Sequence, residues 1–150
     1  KPENVAVVHQ GLIGVAKEGT AARVFAGTPY QSAGKTGTAQ AVTIGQKDKY
    51  NASKLEEHQR DHALYIAFAP AENPQIALAI VVENAGFGAA QAAPIARRIF
   101  DYWLLGDYPS LEDIDASQKG LASTPIGVRR RKDNVQLISS EGVVAGAKSR

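Results

Sequence analysis

The sequence contains no methionine and no cysteine among its 150 residues. Without cysteine there is no disulfide scaffold and no thiolate zinc site, and cysteine usage leaves the redox compartment open. A chain that starts at Lys1 and carries no methionine reads as a piece of a longer protein. Long apolar runs are missing too: the longest, Ile76 to Val82, has seven residues, where a spanning helix needs about 20. Neither a membrane span nor a signal peptide is visible. Charge of one sign is not in excess. Lys and Arg number 17 and Asp and Glu 15, split as 10 basic and 9 acidic residues through Leu105 and 7 and 6 after it. No segment has the one-sided basic field that a nucleic-acid binder needs, so no nucleic acid is expected as a partner.

Aromatic residues run out early. All ten Phe, Tyr and Trp lie between Phe25 and Tyr108, and the last 42 residues have none. Large side chains that could offset the entropy of ordering are therefore scarce after Tyr108. This divides the chain into a folded part, residues 1–108, and a mostly disordered tail, residues 109–150. The run Arg129-Arg130-Arg131-Lys132 reads as a solvated charge cluster, with contact to anionic lipid or nucleic acid as the lesser alternative.

What is present has readable periodicity. Val5, Val8, Leu12 and Val15 form one stripe of an amphipathic helix that Pro2 can open and Gly19 can close. Gly11 and Gly14 each weaken it by about 1 kcal/mol relative to Ala, which suggests close packing against a neighbour. His62 to Ala69 and Gln75 to Glu83 alternate as strands, joined by the proline-punctuated Pro70-Ala71-Glu72-Asn73-Pro74, and should form an antiparallel hairpin. Neither face of this pair is polar, so helices should cover both. A second helix follows Gly86 and Gly88, with Ile95, Ile99, Tyr102 and Trp103 as its apolar face and Pro94 in its first turn. Tyr102 and Trp103 read as core. The segment from Ile44 to Asp61 is polar, with a short surface helix possible over Ser53 to Arg60.

One stretch carries a motif with a mechanism: Ala33-Gly34-Lys35-Thr36-Gly37-Thr38-Ala39-Gln40. Gly34-Lys35-Thr36 matches the end of a phosphate-binding loop, but position 29, where that loop needs glycine, is Pro29. The residues that follow also favour strand or turn over the helix such a loop feeds. A second possibility is the K-T-G strand of serine acyl-transferases that bind penicillin. There a substrate bearing a carboxylate lies along an exposed strand and pairs with its backbone, and Gly37 leaves room for close approach. Lys35 supplies positive charge, Thr36 and Thr38 can donate hydroxyls to the carboxylate, and the Thr38 N–H can serve an oxyanion hole. The plain alternative is a turn leading into a strand, and on the motif alone it leads.

Several spaced phrases decide the matter. Tyr30-Gln31-Ser32-Ala33-Gly34-Lys35-Thr36-Gly37-Thr38-Ala39-Gln40, Tyr50-Asn51-Ala52, Arg60-Asp61-His62, Ala67-Phe68-Ala69-Pro70, Asn73-Pro74-Gln75 and Glu83-Asn84-x-Gly86-x-Gly88 resemble, in order, the end of the penicillin-binding protein 2 family, the class B transpeptidases of bacterial cell elongation. The resemblance covers roughly Glu3 to Tyr108. It implies an α/β (α+β) fold, an antiparallel sheet covered by helices, of which this chain holds a part. It implies a parent serine D,D-transpeptidase that cross-links peptidoglycan stem peptides and is acylated by beta-lactams, at the periplasmic face of the bacterial inner membrane. Lys35 and Thr38 would be its catalytic contributions and Thr36, Gly37 and Thr38 its substrate-binding ones. Partners implied are the stem peptide, beta-lactams, the upstream part of the same domain and an elongation-complex glycosyltransferase; no cofactor is implied.

Departures matter as well. The only S-x-x-K is Ser32-Ala33-Gly34-Lys35, whose lysine is the K-T-G lysine itself, and no S-x-N triplet exists. Both motifs lie N-terminal to K-T-G in this family, so the chain alone is expected to be inactive. Its hairpin strand would also lose an upstream neighbour, and such an apolar edge recruits another chain, so the isolated piece is expected to dimerise or aggregate. The alternatives are a beta-lactamase-like hydrolase and a non-catalytic binding or sensor module on the same fold. His58 and His62 at i and i+4 lack a third firm ligand, so no metal is expected, and Asp61 orienting His62 is the better reading. Asn51-Ala52-Ser53 matches a glycosylation sequon, which a bacterial protein does not use.

Overall fold

The computed structural model describes residues 1–42, 55–121 and 124–131. The first helix, α1 (Pro2–Lys17), opens on Pro2, where a missing N–H forfeits no helical bond, and has Glu3 in its first turn and Lys17 in its last, as the helix dipole favours. Gly19 ends it. Its N–H donates to Gly14 O at 2.8 Å, and an added Cβ there would come within 2.9 Å of Val15 Cα. The expected stripe is used at one end only: Ala16 is buried and Val15 packs at the margin of the core, but Val5 and Val8 are exposed. Gly11 and Gly14 do not mark close packing. A Cβ at Gly11 would meet nothing within 4 Å, and one at Gly14 only the flexible Glu18 carboxylate at 3.9 Å. A single turn, α2 (Ala22–Phe25), then buries Val24 and Phe25.

Three strands, β1 (Ala33–Ala39), β2 (His62–Ala69) and β3 (Ile76–Val82), form an antiparallel sheet in that order. The hairpin expectation holds: Gln75 N–H donates to Ala69 O at 3.0 Å, and the register runs from Ala69 opposite Ile76 to Ala63 opposite Val82. Pairing places Ala63, Tyr65, Ala67 and Ala69 on one face with Val82, Ile80, Leu78 and Ile76. The helix α3 (Gly88–Leu105) packs on that face through Ala92, Ala93, Ala96 and Phe100, all fully buried. Alanine facing alanine lets the helix come close, and Phe100 fills the remaining space against Phe25 and Tyr30. The opposite face carries Leu64, Ile66 and Phe68. There the α1 side chain His9 stacks on Phe68 with ring centroids 5.4 Å apart, but Ile66 is 57 % and Val81 61 % exposed. Among the described residues a helix thus buries the β2 part of one face and leaves its β3 part half-buried, while the opposite face is covered less.

The apolar face expected of α3 is not the one it buries. Ile95, Ile99, Tyr102 and Trp103 point outward, with Trp103 59 % exposed, and Tyr102 instead meets Tyr108 edge to face. The buried stripe includes two charged residues, Arg97 and Asp101. Arg97 Nε donates to both Asp101 oxygens at 2.8 and 2.9 Å, and its Nη1 donates to Val24 O at 2.8 Å. Tyr30 donates its hydroxyl to Asp101 Oδ1 at 2.8 Å. Counting charge as surface hid this stripe, because a paired and hydrogen-bonded charge can be buried. Pro94 is not in the first turn either: α3 begins six residues earlier, at Gly88, and Pro94 lies inside it. Gly106, at φ +70°, closes the helix by donating its N–H to Tyr102 O at 3.0 Å.

Burial, reinforced by the Asp101 carboxylate, pushes the Tyr30 hydroxyl well above its ordinary range, and burial does the same to Tyr65. Folded, both hold their protons more tightly than the unfolded chain, whose tyrosines titrate near about pH 10. Their contribution to stability is thus complete below about pH 10 and falls above it, by up to about 1.4 kcal/mol per pH unit for each tyrosine. Urea unfolding between pH 9 and 11.5 should show this loss, and the slope should be shallower in Tyr30→Phe. An unchanged slope in that variant would show that Tyr30 ionises as freely in the folded state.

The described residues after Tyr108, 109–121 and 124–131, include a helix and a short strand. Ser110 caps the helix α4 (Leu111–Gln118) by accepting from the Asp113 N–H at 2.9 Å, and its own hydroxyl donates to Ile126 O at 2.6 Å. Asp113 is fully buried and takes a two-pronged bond from Arg98, at 2.5 and 2.8 Å. The short strands β4 (Asp107–Tyr108) and β5 (Arg130–Arg131) pair, and the described part of the basic run, Arg129 to Arg131, makes contacts although Arg131 stays largely exposed. Arg129 meets Asp107 at 3.4 Å, Arg131 meets Asp107 at 3.2 Å, and Arg130 Nε donates to Pro109 O at 2.8 Å. Ion pairs onto α3 supply here what aromatic side chains do not. Residues 132–150, the rest of that expected tail, and residues 43–54, most of the polar segment, lie outside the described residues. Of the surface helix expected over Ser53 to Arg60, the described part holds one 3-10 turn, Glu57–Gln59.

Candidate active site

Lys35, Thr36, Gly37 and Thr38 lie in the middle of β1, one of the two edge strands of the sheet among the described residues. An edge strand presents a row of unpaired backbone donors and acceptors to whatever lies beside it. Alternation sends the side chains to two sides. Lys35 pairs with Ile66, on the open face, while Thr36 and Thr38 pair with Tyr65 and Ala63, on the α3 face. A concavity of about 210 Å³ is lined by Thr36, Gly37 and Thr38 together with Thr20, Phe87, Gly88 and Ala89. Lys35 is not among its walls. It is exposed, and its ammonium donates to the carbonyl of Thr36 at 2.6 Å.

The strand is held at close range. A Cβ on Gly88 would collide with Gly37 O and Leu64 O and lie 3.1 Å from Gly37 N, so the first turn of α3 rests on the β1 backbone. A Cβ on Gly34 would lie 2.6 Å from Ile66 O and 2.7 Å from the Tyr65 hydroxyl. A Cβ on Gly37 would lie 3.3 Å from Leu64 Cβ. Glycine in β1 therefore serves internal packing as well as any approach from outside. Gly88 and Ala89 bring the positive end of the α3 dipole to the wall of the concavity.

Ser32 is 2 % exposed, and its Oγ is buried without a hydrogen-bond partner among the described residues. A hydroxyl closed off in this way has no open path to a substrate. His62 Nδ1 accepts from the Asn84 N–H at 2.9 Å, so a backbone amide orients the ring, while His58 sits 3.5 Å from Glu56 on the surface. Among the described residues no cluster of three or more His, Cys, Asp or Glu could hold a metal ion. Sequence reasoning overlooked Thr20, Phe87 and Ala89 as walls of the concavity. Gly88 stood in the quoted phrases, but its role as the contact beneath Gly37 shows only in the fold.

Residues 1–101 match the penicillin binding protein transpeptidase domain. The chain is 46 % identical over 103 residues to the peptidoglycan D,D-transpeptidase MrdA of Escherichia coli K12, covering 67 % of this chain and 16 % of that protein. It is 41 % identical over 97 residues to MrdA of Haemophilus influenzae, covering 65 % and 15 %. Among solved structures it resembles Pseudomonas aeruginosa PBP2 in complex with WCK 5153, with a TM-score of 0.57, 41 % identity and coverage of 70 % of this chain and 20 % of that one. It also resembles Helicobacter pylori PBP2 in its complex with MreC, with a TM-score of 0.54, 27 % identity and coverage of 69 % and 18 %. The chain thus spans about one sixth of the MrdA relatives' length. On the match across its first 101 residues, the chain belongs to the penicillin-binding protein transpeptidase family.

Proposed function

We propose that the chain is the C-terminal part of a serine D,D-transpeptidase that cross-links peptidoglycan stem peptides and is acylated by beta-lactams. The observation that carries this reading is the edge position of Lys35-Thr36-Gly37-Thr38 beside a concavity. A stem peptide lying along the outer edge of β1 is flanked from both faces: by the Lys35 ammonium on one side and by the Thr36 and Thr38 hydroxyls on the other. Its terminal carboxylate meets donors and the positive end of α3, and its backbone pairs with the strand.

The nucleophile comes from upstream. Its serine oxygen bonds to the carbonyl carbon of the penultimate D-alanine, the peptide C–N bond breaks, and D-alanine leaves with the proton. An amine of a second stem then takes the acyl group and releases the serine. This chain contributes binding and charge, so alone it turns nothing over. The reading puts the parent at the periplasmic face of the bacterial inner membrane, with a cell-elongation glycosyltransferase as partner; none of the helices among the described residues is long and apolar enough to cross a membrane. The edge of β3 that has no partner strand among the described residues pairs with the upstream part of the domain, and in the isolated chain it recruits a second copy.

Incubating the intact protein that carries this segment with a fluorescent penicillin tests the reading. A covalent label that persists is the expected result. Rapid release of penicilloate would replace it with a beta-lactamase-like hydrolase, and absence of any covalent label would leave a non-catalytic binding or sensor module.

A further inference from the structure

Two hydroxyls from distant parts of the sequence meet at the wall of the concavity. Thr20 Oγ1, in the turn between α1 and α2, lies 2.9 Å from Thr36 Oγ1, and both residues line the space. The turn that presents Thr20 is firmly mounted. Gly19 N–H donates to Gly14 O at 2.8 Å, Ala21 N–H donates to Val15 O at 3.0 Å, and Ala21 itself is fully buried.

A hydroxyl has one proton to donate and two lone pairs with which to accept. The Thr20–Thr36 pair can therefore be arranged in two ways. If Thr36 donates to Thr20, its proton is used and its lone pairs confront an incoming carboxylate. If Thr20 donates to Thr36, the Thr36 proton is left for the anion, and accepting a hydrogen bond makes that O–H a stronger donor. For an anion held at Thr36 on β1 only the second arrangement serves, because in the first the free proton sits on Thr20, off the strand.

We propose that Thr20 is a positioning residue: it donates its proton to Thr36 and so fixes the Thr36 hydroxyl as a donor to the carboxylate of the substrate. This rests on the reading of β1 as the substrate-binding strand. Thr20 does not touch the substrate in this scheme; it acts through Thr36.

The test uses the intact transpeptidase that carries this segment, with penicillin G, which bears the carboxylate, as the acylating probe. Thr20→Val keeps the shape and removes the hydroxyl. It should slow acylation about tenfold, the scale of one hydrogen bond, with no change in melting temperature, and Thr20→Ser should restore the rate. In a Thr36→Val background, Thr20→Val should add no further loss. The inference is overturned if Thr20→Val leaves the rate unchanged, if Thr20→Ser fails to rescue it, or if the loss is equally large without the Thr36 hydroxyl. Should Thr36→Val by itself leave acylation untouched, the substrate-binding reading of β1 falls too; a slow Thr36→Val beside a normal Thr20→Val removes only the role of Thr20.

Discussion

Arg97→Ala should destabilise the chain by about 3–5 kcal/mol, the usual cost of removing one partner from a buried ion pair. Arg97 and Asp101 are each less than 5 % exposed, so the stranded carboxylate would have little water to turn to. Tyr30 would still donate to it at 2.8 Å, and Arg129 stands 3.7 Å away, but neither replaces the two bonds from Arg97 Nε. The Val24 carbonyl loses its partner as well, which loosens α2 against α3. Against a typical domain stability of about 5–15 kcal/mol, such a loss is close to unfolding. Replacing Arg97, Asp101 and Tyr30 together with apolar residues should recover much of the deficit, because no charge or hydroxyl is then left without a partner. Urea unfolding of the single and triple variants gives both numbers. A single-variant cost below about 1 kcal/mol would mean that water reaches Asp101 freely.

This network is also where sequence reading fell short. The hairpin was legible because β2 and β3 alternate without a break and the link between them has five residues rich in proline. Helix α3 was legible as an element, yet its buried face was assigned to bulk. Ile95, Ile99 and Trp103 looked like core, while Ala92, Ala93 and Ala96 do the packing, because the sheet beneath them is itself alanine-rich. Arg97 and Asp101 fall on the same stripe at helical spacing, and only their pairing reveals that they belong there. The order after Tyr108 was hidden for a related reason. Its anchors are pairs far apart in sequence, Arg98 with Asp113 and Asp107 with Arg129, and composition cannot report pairing. The candidate site was legible where it is continuous, from Lys35 to Thr38. Thr20, 16 residues before Thr36, was not, since a turn threonine has no signature until the fold brings a second hydroxyl to it.

If the intact protein that carries this segment is the proposed transpeptidase, Lys35→Ala should slow its acylation by beta-lactams by about a hundredfold or more, the scale set by removing one preorganised electrostatic contact from a reacting site. Its effect on stability should stay within about 0.5 kcal/mol, because the side chain is exposed and its one hydrogen bond runs to the neighbouring Thr36 carbonyl. The contrast between these two effects is the informative quantity. A lysine that merely finished a turn or solubilised a strand would cost little in either measurement. One that braced the fold would lower melting temperature and acylation together. Lys35 does not brace the fold: it lies opposite Ile66 on the open face and packs into no core, while Thr36 and Thr38 occupy the other side of the same strand. On the proposed reading, a positive charge in that position acts on a substrate lying along the edge of β1, and one with a carboxylate is what it would favour. Lys35→Arg keeps the charge but changes its shape and hydration, so it should recover part of the rate and none of the geometry. Equal losses of stability and acylation in Lys35→Ala would return the motif to an ordinary structural strand.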